Sequence, residues 1–419
     1  MLNPRLDDLP GYPFARLRVL LDGVQPAANM SPTVMSIGEP QHQPPAFVAE
    51  ALAHHAAGWG KYPLLRGTPE FRRAVADWLT RRFALPQGFI AADENILPVA
   101  GTREAIYMFA SVAIGRPKNE GAMARQDSGL RPLALVPNPL YHVYAGAAQM
   151  AGADVRFVPA TAESGFLPDY LALPDEVWAR TALVYLCAPA NPQGVLADKG
   201  YLAALLAKVV AHDAILAVDE CYSEIYDAAR PVGALEACAG PDKQTWGAEA
   251  ARALDHLVVF NSLSKRSSSP GLRSGFIAGG ARLIAAFAKL RDFASSATPL
   301  PIIAAATELW RDESHVEANR ARYRAKFDLA EAALGTGFGP LRPAGGFFLW
   351  LDMAKAGLGD GETAARQLWR RAAIRALPGA YLCPESDIGP GADYLRVALV
   401  HDETLLAEAL PRFAAALSD

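Results

Sequence analysis

The sequence has four cysteines, Cys187, Cys221, Cys238 and Cys383, and no CxxC pair among them. Two lie in or beside apparent strands, so they read as reduced core thiols. No metal-ligand cluster is visible. His54-His55 is an adjacent pair, and adjacent residues on a helix do not face one ligand. The eight histidines read as ordinary surface or core residues. No apolar run reaches the ~18 residues of a membrane span. Met1-Leu-Asn-Pro-Arg-Leu-Asp-Asp lacks the basic, apolar, small-residue order of a signal peptide. The net charge of -4 argues against a nucleic-acid partner held by phosphate neutralisation. No repeat, low-complexity tract or long linker is present. These absences predict a soluble cytoplasmic protein with no metal, membrane or nucleic acid to serve. What remains is globular composition, 51% apolar and 20% charged over 419 residues, enough for a large core and two domains.

Residues 1–45 are Pro-rich and irregular, with a short helix predicted around Phe14–Leu21 and a strand end running into a turn at Ser36-Ile-Gly-Glu-Pro40. Helices are predicted at Phe47–His55 and Pro69–Phe83. In the second, Phe71, Val75, Trp78 and Leu79 share one face. From Ile96 to Gly280 short apolar runs alternate with helical periods. The predicted strands are 96–99, 133–136, 155–158, 183–187, 215–218, 257–260 and 275–278. Continuous apolar strands separated by helices predict a mostly parallel sheet covered on both faces. Arg116–Arg131 reads as a surface loop. After Pro301 two helices are predicted, Ile302–Trp310 and Glu313–Leu334. A second sheet comes next, from 346–351, 373–377 and 394–400, with a helix at 361–371. The expected division is an N-terminal segment 1–45 joining a small α+β domain at 301–419, and a large domain at 46–300.

One stretch stands apart: Asn261-Ser-Leu-Ser-Lys265-Arg-Ser-Ser-Ser-Pro-Gly-Leu-Arg273-Ser-Gly275. Burial at a strand end lowers a lysine's pKa, and a neutral amine attacks aldehydes. Ser262, Ser264 and Arg273 suit a phosphate beside that aldehyde, which describes pyridoxal 5′-phosphate (PLP). A solvated Ser-rich turn fits the stretch equally well on its own. Ligands of open parallel sheets bind beyond the carboxyl ends of the strands, so the other strand ends matter. Ala100-Gly101-Thr102-Arg103 opens a helix, an anion site or merely a capped start. Pro137-Asn-Pro-Leu-Tyr141 presents an aromatic, for a planar ring or for packing. Ala188-Pro-Ala-Asn191-Pro-Gln-Gly194 is a turn. Asp219-Glu-Cys-Tyr222 puts a carboxylate at a buried strand end, for a pyridinium or for an arginine. Each signal is ordinary alone, whereas their order along successive strand ends is not.

With these motifs the chain resembles the fold-type I PLP enzymes, specifically the class I/II aminotransferases, over almost its whole length. The Asn-Pro-x-Gly loop, the Asp-x-x-Tyr strand end and Ser-x-x-Lys…Pro-Gly-x-Arg-x-Gly carry the resemblance. Gln193 stands where the family commonly has Thr. The resemblance implies that Lys265 holds PLP and shuttles a proton, and that Asp219 pairs with the pyridine nitrogen. It implies that Asn191 and Tyr222 bond the ring 3′-oxygen and that Tyr141 stacks on the ring. Gly101, Thr102 and Arg103 (through backbone N–H groups), Ser262, Ser264 and Arg273 would take the phosphate. Tyr62 would reach it across a dimer interface. Arg396 would clamp the substrate α-carboxylate, its planar fork suiting the task, with Gly38 alongside. The active site would then form between two copies of the chain.

Leu9-Pro-Gly-Tyr-Pro-Phe-Ala-Arg-Leu, Ser-Ile-Gly-Glu-Pro-Gln-His, Gly-Thr-Arg-Glu-Ala and Asp-Glu-Cys-Tyr-Ser-Glu-Ile-Tyr, with Ser-Leu-Ser-Lys-Arg-Ser, look similar to the bacterial succinyldiaminopimelate aminotransferase branch. That branch implies N-succinyl-LL-2,6-diaminopimelate and glutamate/2-oxoglutarate as the exchanging pairs, on the route to lysine. A distal acid on both substrates calls for a second cation, from Arg103, Arg66 or Arg266. An aspartate, alanine or acetylornithine aminotransferase, a PLP-dependent β-lyase and a PLP-sensing regulator are the alternatives.

Overall fold

The computed structural model describes residues 2–7, 9–115, 130–240, 246–294 and 296–418. Most of the segment expected as a surface loop, 116–129, lies outside them. The central feature is a seven-stranded sheet. Its strands are β2 (Ile96–Val99), β3 (Leu133–Asn138), β4 (Asp154–Pro159), β5 (Thr181–Cys187), β6 (Ile215–Asp219), β7 (Leu257–Ser262) and β8 (Gly275–Gly279). They lie in the order β2-β8-β7-β6-β5-β3-β4. Strands β4, β3, β5, β6 and β7 pair in parallel, while β8 runs antiparallel to both of its neighbours. The sheet is thus mostly parallel, as the apolar runs predict.

Side chains alternate across a strand, and β7 shows why its run is apolar throughout. Leu257 and Val259 enter one core with Trp78, Leu205 and Trp310. Val258 and Phe260 enter the other with Phe109, Tyr144 and Phe287. The helix Pro69–Phe83 begins where Thr68 accepts from Phe71 N at 3.3 Å and ends at Ala84, in a left-handed conformation. Trp78 on its inner face meets Trp310 at 4.9 Å between ring centroids. Emptying such a site by Trp→Ala costs about 3–5 kcal/mol.

A third core gathers Leu17, Leu20 and Met35 with Tyr323, Phe327, Trp350, Leu368, Leu395 and Phe413. The N-terminal segment and the C-terminal third are therefore packed together. Here β9 (Phe348–Asp352), β12 (Tyr394–Ala398) and β11 (Leu377–Pro378) form a three-stranded antiparallel sheet. The strand predicted at 373–377 is broken in two. Ala373 takes a left-handed conformation at φ 54°, and β10 (Ile374–Arg375) pairs in parallel with β1 (Thr33–Val34). The cores do not part at 301. Helix Leu300–Arg311 buries Ile303, Ala305 and Leu309 in the first core, because its inner face packs on helices 47–54 and 69–83. Helices His142–Ala151, Ala281–Ala294 and Glu403–Leu417 are additional to the predicted ones. Among the described residues no helix is long and apolar enough to cross a membrane.

Candidate active site

The parallel strands end at a cavity of about 770 Å³ between the large sheet and the small one. Its wall includes Gly38, Thr102, Arg103, Tyr141, Asn191, Asp219, Tyr222, Ser262, Ser264, Lys265, Arg273 and Arg396. Residues up to 358 positions apart in sequence are thus brought together by the crossovers. Four predicted positions, Gly101, Tyr62, Arg66 and Arg266, are not on the wall. Gly101 lies just behind it, at φ +87°, where a β-carbon would collide with the Arg273 guanidinium. Tyr62 stands out in solvent at 102% exposure, and Arg66 is exposed with its Nη1 on Asp93 O at 3.3 Å.

Lys265 sits on a one-turn helix, Leu263–Arg266, that comes directly after β7. Its Nζ donates to Gly38 O, and the Phe347 ring lies 5.4 Å from it. Burial pushes its pKa down to about 8, against the pull of Cys221, Glu39 and Asp219. Arg266, next in sequence, points away from the cavity. It is fully buried, with Nη1 on Leu309 O at 2.7 Å and Nη2 on Glu313 Oε1 at 2.5 Å.

Asp219 ends β6. Its Oδ2 accepts from Tyr144 Oη at 3.0 Å and its Oδ1 from Cys221 N at 3.2 Å. Burial raises its pKa despite these donors and the charge of Lys265, as desolvation does to a carboxylate with no cation paired directly against it. Thr102 Oγ1 lies 3.0 Å from Cys221 Sγ, so the start of helix Thr102–Ala113 is fastened to the same strand end. Arg273 donates to Ala100 O and Pro270 O, both at 3.0 Å. Ser262 Oγ donates to Ser264 Oγ at 2.9 Å. Free helix N–H groups, two hydroxyls and a guanidinium make a cradle for a dianion.

On the opposite wall Arg396 is buried. Its Nη2 donates to Ser36 O at 2.7 Å and its Nη1 to Asn191 Oδ1 at 3.3 Å. Its Nε is buried without a partner, and burial pulls its pKa down to about 10. An incoming carboxylate would satisfy both deficits. Tyr141 accepts from Arg103 Nε at 2.6 Å, and burial pushes its own pKa up to about 12. Tyr12, Ile37, Glu39, His142, Phe348 and Leu382 are also on the wall. None of these was singled out from sequence, and neither was Tyr144. Only the segments around Tyr12 and around Ile37 and Glu39 carried a signal, as parts of motifs. The residues present fit PLP: a buried carboxylate for the ring nitrogen, an anion cradle, and an amine brought toward neutrality between them.

The profile of the family described as "Aminotransferase class I and II" matches residues 32–413. The LL-diaminopimelate aminotransferase of Maridesulfovibrio salexigens is 30% identical over 419 residues, covering 98% of each chain. That of Nitratidesulfovibrio vulgaris is 29% identical over 421 residues, covering 99% of this chain and 98% of the relative. A crystallised aminotransferase from Neisseria meningitidis superposes with a TM-score of 0.88 at 37% identity, over 100% of both chains. The chain belongs to the class I and II aminotransferases, PLP-dependent enzymes of fold type I.

Proposed function

We propose that this aminotransferase moves an amino group between a diaminopimelate-class amino acid and 2-oxoglutarate. The convergence of Lys265, Asp219 and the Arg396–Asn191 pair on one cavity carries the reading. PLP, when bound, supplies an aldehyde for the amino group and a ring that draws off the electron pair left at Cα. Lys265 would carry the cofactor covalently through Nζ, and Nζ, once displaced by the substrate amine, would take and return the proton of substrate Cα. Asp219, fixed by Tyr144 and Cys221, keeps a proton on the ring nitrogen. Asn191 and Tyr222 would bond the ring oxygen, and Tyr141 would pack against the ring. Gly101, Thr102, Arg103, Ser262, Ser264 and Arg273 hold the phosphate. Arg396 takes the α-carboxylate, near Gly38, and Arg103 the distal one. Tyr62 comes from a second copy of the chain, so the working unit is a homodimer.

Between donors, the N-terminal and strand-end segments favour N-succinyl-LL-2,6-diaminopimelate. The name shared by the curated relatives favours the free LL-form, which is the second reading. The test is to incubate pure protein with 2-oxoglutarate and each form in turn, and with aspartate, alanine and acetylornithine, and to measure glutamate. Glutamate formed fastest with either diaminopimelate supports the class and chooses the form. Preference for another donor overturns it. Pyruvate and ammonia formed without an acceptor from a cysteine-type amino acid, whose sulfur leaves from Cβ as a thiol, would mean a β-lyase.

A further inference from the structure

The carbonyls of Lys265 and Arg266 close a one-turn helix, where no partner exists within the helix itself. Asn319, from helix Ser314–Leu334, takes both: its Nδ2 donates to Lys265 O at 3.1 Å and to Arg266 O at 3.2 Å. Its Oδ1 accepts from Ser268 Oγ at 3.0 Å and lies 3.3 Å from His42 Nδ1. A primary amide has two donor protons and two acceptor lone pairs, so this one is fully used. Which way it faces is fixed by His42. Burial, reinforced by Lys326, pushes the His42 pKa down to about 4, leaving a neutral ring with one N–H. Nε2 has no partner, so the proton belongs on Nδ1, where it donates to Asn319 Oδ1. Ser268 itself is held at φ 47°, a left-handed conformation that serine rarely adopts. The chain just past the lysine therefore needs an external hold. His42 also lies four residues after Gly38, whose carbonyl accepts from Lys265 Nζ.

We propose that Asn319 is a positioning residue for Lys265, a helix cap supplied in trans that ties the lysine's turn to the 38–42 segment. The inference rests on the reading of Lys265 as the cofactor carrier. The amide fixes the backbone from which the amine projects, so its loss misplaces Nζ without emptying the cavity.

Asn319→Asp keeps the size and sets oxygen, in place of N–H, against two carbonyls. In the PLP-loaded enzyme kcat should fall about tenfold to a hundredfold, as for a misplacement of about 1 Å. KM for the amino donor should stay within about threefold. The visible dichroism of the bound cofactor should weaken, and borohydride should trap it on Lys265 more slowly. Leu334→Ala, at the far end of the same helix, alters a buried side chain without touching those carbonyls or His42. It should move the melting temperature alone. If Asn319→Asp does not fold, His42→Phe, which removes the orienting donor, decides with the same pattern at about threefold in kcat. Wild-type kcat, dichroism and trapping rate in the folded variant overturn the proposal, and so does Leu334→Ala reproducing the loss. Covalent PLP retained in Lys265→Ala would instead overturn the reading of the lysine itself.

Discussion

Tyr144 donates its hydroxyl proton to Asp219 across 3.0 Å at the cavity floor, and the Tyr144 ring is itself stacked on Tyr185 at 4.8 Å. With Cys221 N on the other oxygen, the carboxylate is oriented before any ligand arrives. Its charge, raised in pKa by burial, is the group a ring cation would stabilise. Asp219→Asn keeps the shape and removes the charge. It should lower turnover by about a hundredfold or more, about 3 kcal/mol, in a water-poor site. Tyr144→Phe should cost about 1 kcal/mol, one hydrogen bond. Steady-state assays of both variants check the ranking, and near wild-type turnover in Asp219→Asn would assign the role to another carboxylate.

Lys265 should capture PLP with a pH dependence set by its burial. Its pKa, pushed down from the usual lysine range to about 8, makes the neutral and reactive form dominant above that pH. The rate of cofactor capture by the apoprotein, followed by absorbance, should rise with pH up to about 8 and then level off. An exposed lysine would keep gaining rate to a pH of about 10.4. Borohydride reduction and digestion should find the pyridoxyl group on the Lys265 peptide, and Lys265→Ala should have none.

The strand ends were legible because buried parallel strands write continuous apolar runs, and the residues just after each run must lie at the sheet's carboxyl edge. Asp219, Asn191 and Lys265 are of this kind. Arg266 was not legible: successive helical residues project about 100° apart, so the neighbour of the cavity-facing Lys265 turns into the core onto Leu309 and Glu313. Tyr12 reaches the cavity from the N-terminal segment and Tyr144 reaches Asp219 from a helix behind its wall, and no local period reports which partner such a side chain will meet. Helix Leu300–Arg311 illustrates the same limit for the fold. Its apolar face was visible, but whether it would pack on the first core or the third depends on helices more than 200 residues earlier.

Tyr62 should act on the partner's site. Its side chain is fully exposed in the single chain, in a stretch that also exposes Trp59 and Leu64, both large and apolar. Such a surface is suited to a second copy, and a two-fold interface would present each Tyr62 to the other cavity. Sedimentation should give a dimer at micromolar concentration. Tyr62→Phe should weaken PLP retention by about 1 kcal/mol, the loss of one hydrogen bond, without lowering the melting temperature of the apoprotein. A fully active monomer would exclude the arrangement.

The distal acid of 2-oxoglutarate should be met by Arg103. Of the three arginines open to this role, Arg266 is buried behind the lysine and Arg66 is exposed and bonded to Asp93 O. Arg103 alone among them lines the cavity, with its Nε on Tyr141 at 2.6 Å and with Tyr12 and His142 on the same wall. Arg396 is already committed at the opposite wall through Asn191 and Ser36. His142 cannot substitute as a cation. Burial first, and then Arg103 and Arg396, push its pKa down to about 4, so it is neutral at pH 7. Arg103→Ala should therefore lower kcat/KM for 2-oxoglutarate by about 2–3 kcal/mol, the value of a charge-assisted bond to a carboxylate, or roughly thirtyfold to 150-fold. Pyruvate, which has no second acid, should lose little. Arg66→Ala should affect neither acceptor unless the partner subunit brings that residue in, in which case it would show the same selective loss. Equal losses on both acceptors in Arg103→Ala would place the residue's contribution with Tyr141 and the cofactor, and leave the distal carboxylate to a residue of the second copy.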